Sequence, residues 1–130
     1  MGDKTFVGIC KKGTLEEVGK ALANGADVNE RDEIFKKTSL MEAVKDAKEP
    51  LVSLLLQQPG IQVNAKDNGG QTALHYAAFC SGTKGRKVIR LLLNFPSIDT
   101  MIRDCGGDTP LMIATKYKSF CLSFIETRYA

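Results

Sequence analysis

Thr72-Ala73-Leu74-His75-Tyr76-Ala77 decides the reading of this 130-residue chain, because the same phrase is written twice more. Thr38-Ser39-Leu40-Met41-Glu42-Ala43 comes before it and Thr109-Pro110-Leu111-Met112-Ile113-Ala114 after it. Each copy runs Thr, a small residue or Pro, Leu, two variable residues, Ala. Successive Thr residues stand 34 and 37 positions apart. A period in that range marks an array of small supersecondary units stacked in a line, not a globule folded round one centre.

The repetition extends outward from the signature. Aliphatic runs follow it at Leu54-Leu55-Leu56 and Leu91-Leu92-Leu93. Gly25-Ala26-Asp27-Val28-Asn29 is echoed by Gly60-Ile61-Gln62-Val63-Asn64 and by Ser97-Ile98-Asp99-Thr100-Met101, and Asp32, Asp67 and Asp104 close the three stretches. The first unit has Lys4 at the expected Thr position, but its tail from Gly13 to Asn29 fits the pattern well. Together these features resemble the ankyrin repeat. The resemblance implies an all-α solenoid of helix-turn-helix units joined by short β-hairpin loops. It implies one domain over 1–130, with units of about 1–31, 32–66, 67–103 and 104–130 and the end units acting as caps. It also implies a non-enzymatic protein-interaction module, an adaptor or an inhibitor. Asn29 and Asn64 occupy the turn position that is hydroxylated in some members of that family.

Composition limits the alternatives. The chain is 43% hydrophobic and 25% charged, ordinary for a globular domain. Its net charge of +3 is mild, and a sequence pI of about 8.7 falls below the range usual for nucleic-acid binding. No apolar run approaches the ~18 residues that a membrane span needs, and the first residues lack a secretory leader. Cys10, Cys80, Cys105 and Cys121 include no C-x-x-C pair and are accompanied by a single His. No metal site or cofactor is therefore expected, and reduced thiols in an intracellular protein, cytoplasmic or nuclear, are.

Local chemistry fits helix pairs. Thr38 is placed to cap a helix running to about Asp46, and Pro110 fits a first helical position. Leu40, Ala43 and Val44 form one apolar stripe. Pro50 opens a second helix whose inner face is expected to be Leu51, Leu54 and Leu55, and stacking is expected to hide Leu40, Leu54 and Leu55 against their counterparts Leu74, Leu91 and Leu92. Asp67-Asn68-Gly69-Gly70 and Asp104-Cys105-Gly106-Gly107 read as projecting turns. Asp32 to Lys37 lacks Gly and is one residue longer, which predicts a distorted finger exposing Ile34 and Phe35. Three extra residues in the third unit predict a basic, glycine-rich loop over Phe79 to Lys87. Phe120, Leu122, Phe124 and Ile125 predict a last amphipathic helix.

Nothing in this pattern suggests catalysis. His75 lies inside the repeated phrase, where the resemblance gives it a structural hydrogen-bonding role. Gly82-Thr83-Lys84-Gly85 follows a helix, not the strand that a phosphate loop requires. Met41 and Met112, at the His75 position, are expected to be packed, and Cys80, five residues beyond His75, is within reach of the inner groove.

The resemblance places partner contacts on the hairpin tips and the inner helices. Arg31, Lys66 and Arg103 each precede a marker Asp, and Lys37, Lys45 and Lys116 lie nearby. Stacking would align them as a basic column facing an acidic partner segment. Phe35 and Phe79 are the expected apolar anchors, and Asn68, Gln71 and Asp108 complete the expected face. The expected partner is another protein bound by a monomer. The alternative is a nucleic acid or other anionic ligand in the basic groove.

Overall fold

The computed structural model describes residues 5–80 and 82–117. Its helices run in chain order α1 (Phe6–Lys12), α2 (Leu15–Ala23), α3 (Ser39–Lys45), α4 (Glu49–Leu56), α5 (Ala73–Ala77), α6 (Gly82–Leu93) and α7 (Pro110–Lys116). The last expected helix lies outside the described residues. Helices α1, α3, α5 and α7 stack in sequence as one layer, and α4 packs on α6 in the other.

The repeated Thr starts each first-layer helix. The hydroxyls of Thr38, Thr72 and Thr109 accept from the N–H groups of Met41, His75 and Met112 at 3.3–3.4 Å. This satisfies donors that a helix start otherwise leaves open. The first unit corrects the sequence reading. Thr5, not Lys4, holds the cap, accepting from Gly8 N at 3.1 Å. Phe6-Val7-Gly8-Ile9-Cys10 then fills the rest of the phrase. Without its Leu and Ala, the copy is visible only through the cap.

Each helix pair is too small to bury its own apolar face, so the core is made between units. Leu40, Val44, Val52, Leu55, Leu74, Ala77, Ile89, Leu92 and Ala114 form its centre. The expected α4 face is rotated slightly: Val52 and Leu55 are fully buried, while Leu54 is only half-buried. The expected loop over Phe79 to Lys87 is mostly helix. The extra residues of the third unit lengthen α6, and Gly85 lets that helix approach Cys80 so closely that a Cβ there would lie 2.9 Å from Cys80 Cβ.

The connections between units form a row of fingers. In each, the Asp N–H donates across the turn to the residue before the cap: Asp32 to Lys37 O, Asp67 to Gln71 O, and Asp104 to Asp108 O, all at 2.9 Å. The carboxylates fold back on their own turns, as when Asp67 Oδ1 accepts from Gly69 N and Gln71 N. The hairpins are minimal. The ladder pairing among the described residues is a single antiparallel bridge between Arg31 and Thr38. Neighbouring fingers are stitched together by Asn68 N to Phe35 O at 2.9 Å and Cys105 N to Gly69 O at 2.8 Å. The finger without glycine puts Lys36 at φ 59°, a conformation that strains a side-chain-bearing residue. At the other turn of each unit, the Asn29 amide joins Gly60 O and Gln62 N, and the Asn64 amide joins Ser97 O and Asp99 N, each bond 2.8 Å long.

Candidate partner-binding face

The first-layer helices and the fingers share one open face. At its N-terminal end the first finger, α1 and α3 enclose a cleft of about 660 Å³. Arg31, Phe35, Lys37 and Lys45 all line it, so four of the sequence-predicted residues meet there. Phe35 and its neighbour Ile34 are 57% and 75% exposed at the finger tip, as the missing glycine suggested. The cleft is not simply basic. Glu30, Asp32, Glu33 and Glu42 line it alongside Lys11 and the predicted cations. Lys11 and Lys37 each place Nζ 3.9 Å from Glu42 Oε1. The Lys37 ammonium also lies 5.2 Å from the centre of the Phe35 ring and 5.5 Å from that of Tyr76.

The other predicted residues serve several purposes. The Arg31 guanidinium donates to the carbonyl of Lys66 on the next finger, and Arg103 donates to Gly107 O at 2.8 Å. Both arginines thus tie down backbone and do not pair with the adjacent Asp residues. Asn68 is spent on the stitch, its side chain donating to Ile34 O at 3.1 Å. Gln71 contributes its backbone to the second turn. Asp108 pairs with Lys116 at 3.4 Å. Lys45 and Lys66 are exposed, and their side chains form no ion pair or hydrogen bond among the described residues. At the far end Phe79, half-exposed, packs against Tyr117 with ring centroids 5.0 Å apart.

Sequence reasoning missed Glu42 and Tyr76. They hold the same place in successive phrases, one residue after Met41 and His75, and that equivalence was the available signal. The Tyr76 hydroxyl donates to Asp67 Oδ2. Burial, together with that bond and the charge of Asp67, holds its pKa well above the usual phenol value. For Asp104, partial burial opposes ionisation, but the N–H groups of Asp108 and Gly106 that it accepts hold its pKa down.

His75 is fully buried. Its Nδ1 accepts from Thr72 N at 3.0 Å, which fixes the other nitrogen as the donor, and Nε2 reaches Asp108 O at 2.9 Å. Met41 is buried as expected, but Met112 is 39% exposed. Its helix packs chiefly on α5, and its sulfur lies beside Arg103, not over its own cap. Cys80 does not face the groove. It is buried with Sγ 3.3 Å from Val44 O, and burial raises its pKa, as it does for Cys10. Neither thiol has the exposed, electropositive setting that reactivity requires.

A second cleft, about 540 Å³, lies at the helix ends remote from the fingers, between Leu15, Leu51 and the start of α6, and gathers none of the predicted face. Among the described residues no His, Cys, Asp or Glu cluster could hold a metal, and no helix is long and apolar enough to cross a membrane.

A capped helix pair repeated along a line, with stitched fingers beside an open face, defines a helical-repeat solenoid. The family model for ankyrin repeats (3 copies) matches residues 7–104, and the chain belongs to the ankyrin repeat family. No curated protein matches it. Among solved structures it is similar to the ankyrin repeat domain of Bcl-3, described as a unique member of the IkappaB protein family. That match has 33% identity, covers 87% of this chain and has a TM-score of 0.75. The chain spans 47% of the length of that structure. Ankyrin repeats are in general protein-interaction modules, and the fold is typically non-enzymatic.

Proposed function

We propose that this chain is a non-enzymatic protein-interaction module, an adaptor or an inhibitor, that holds its partner across the fingers and the open face of α3, α5 and α7. The observation that carries this reading is the pair Ile34 and Phe35, exposed at the tip of a finger that borders the 660 Å³ cleft. Large apolar side chains beside a concave opening supply the few anchors that dominate interface energies. Lys45 and Lys66 add positive charge that no other group among the described residues uses, and it favours acidic groups on the partner. The four carboxylates in the cleft disfavour a phosphate backbone, so the nucleic-acid alternative is the weaker one. The same reading places the module inside the cell as a monomer.

The test is capture of an identified binding protein at 50 and 200 mM salt. An Ile34→Ser/Phe35→Ser variant should lose capture at both, while Lys45→Glu/Lys66→Glu should lose it mainly at the lower. A phosphate-driven ligand would instead weaken by orders of magnitude over that salt range even with wild type. Undiminished capture by the Ser variant would remove the finger tip from the interface.

A further inference from the structure

The cleft beside the first finger contains a largely buried carboxylate that, among the described residues, is met by cations only at ion-pair range. The Glu42 side chain is only 10% exposed. Its two cationic neighbours, Lys11 and Lys37, stand 3.9 Å from a single oxygen, beyond hydrogen-bonding distance. The carboxylate accepts no hydrogen bond among the described residues. An ionised carboxylate offers about four acceptor positions, so this one has room for a donor at closer range.

Two ring faces flank the Lys37 ammonium. Phe35 comes from the finger and Tyr76 from α5, and the bond to Asp67 fixes the tyrosine ring by its far end. Lys37 stands within cation–π range of both. A cation is already drawn to this point, but Lys37 stops 3.9 Å from the carboxylate and donates no hydrogen bond to it. A compact ammonium cannot donate to the carboxylate and lie flat on a ring at once. A guanidinium can, because it is planar and presents paired N–H groups.

We propose that this cleft is an arginine-anchor subsite for a segment of the partner protein, with Lys37 as a placeholder that the incoming guanidinium displaces. The inference rests on the protein-interaction reading above and sharpens its partner chemistry. The segment carries an arginine that enters over Glu42 between Phe35 and Tyr76. Lys37, released to the rim near Lys45, then meets an acidic residue close to that arginine. The partner is thus mixed in charge, not uniformly acidic.

The probe is Nα-acetyl-arginine N-methylamide, titrated into the whole chain and followed by amide chemical shifts. Its uncharged isostere, the citrulline analogue, is the control. Saturable millimolar binding is expected, with shifts concentrated at Phe35, Glu42 and Tyr76 and none from the citrulline compound. Glu42→Gln should weaken binding at least tenfold, and Lys37→Ala should tighten it several-fold by emptying the place. If Glu42→Gln fails to fold, Phe35→Leu removes one ring face from an exposed position and should weaken binding several-fold. Equal binding of the two compounds, or indifference to both Glu42→Gln and Lys37→Ala, overturns the subsite. If capture is still lost in the Ile34→Ser/Phe35→Ser variant, only the subsite has failed. If that capture also survives, the finger-tip reading fails with it.

Discussion

His75 accepts a hydrogen bond within its own unit and is placed to donate one to the next. Thr72 N donates to Nδ1 and Nε2 reaches Asp108 O, so one buried ring closes a helix cap and ties the third unit to the fourth. In His75→Ala the Thr72 N–H loses its partner inside the core, while Asp108 O keeps the bond from Asp104 N. A buried donor left unpaired costs about 1–3 kcal/mol, so His75→Ala should lower unfolding free energy by about 1–3 kcal/mol in urea titration. A change below ~0.5 kcal/mol would mean that these bonds do not couple the units. The family resemblance implied a structural hydrogen-bonding role for His75, and the reach of a ring nitrogen back to the capping Thr is its physical basis; the bond to the next unit was not legible. The roles of Arg31 and Arg103 were not legible. Their long side chains reach backbone carbonyls on the fingers, and no spacing along the chain states where a flexible side chain will end.

At the scale of elements, the fingers are held by their neighbours as much as by their own turns. Gly70 has φ 74°, and a Cβ there would lie 2.9 Å from Cys105 N on the next finger. Gly70→Ala therefore combines backbone strain with a clash at the stitch. We expect a loss of about 1–3 kcal/mol, with faster amide exchange at Cys105, whose N–H bonds to Gly69 O. Unchanged exchange there would show that the fingers stand independently. The glycine pairs that mark the second and third fingers were plain in the sequence, as was the exposure of Ile34 and Phe35 where glycine is missing. The first unit and α6 were harder to read. Thr5 caps without the usual Leu and Ala behind it, and the glycines of Gly82-Thr83-Lys84-Gly85 suggest a loop. Packing of Gly85 against Cys80 favours helix there, because only a residue without Cβ lets α6 come so close.

Among the described residues, the main helix contacts run within units and between neighbouring units, so stability is approximately a sum of unit terms and interfaces along a line. The period and the apolar stripes were enough to establish this architecture. The charge character of the face was not, because it depends on Glu42 turning into the same cleft as Lys37. Linear coupling gives the central unit a particular weight. Leu74 in α5 is fully buried, and α5 packs on both α3 and α7. Leu74→Ala should cost about 2–5 kcal/mol, as for other large-to-small core changes. Because it weakens the interfaces on both sides, it should also let the two ends of the array unfold separately. The urea transition should then broaden and its apparent m-value fall, the sign that two-state behaviour has been lost. A mutant that lost the same free energy with an unchanged slope would show that the units remain one cooperative block. The fingers, with their stitched backbones, would then be carrying the coupling that the helices alone do not.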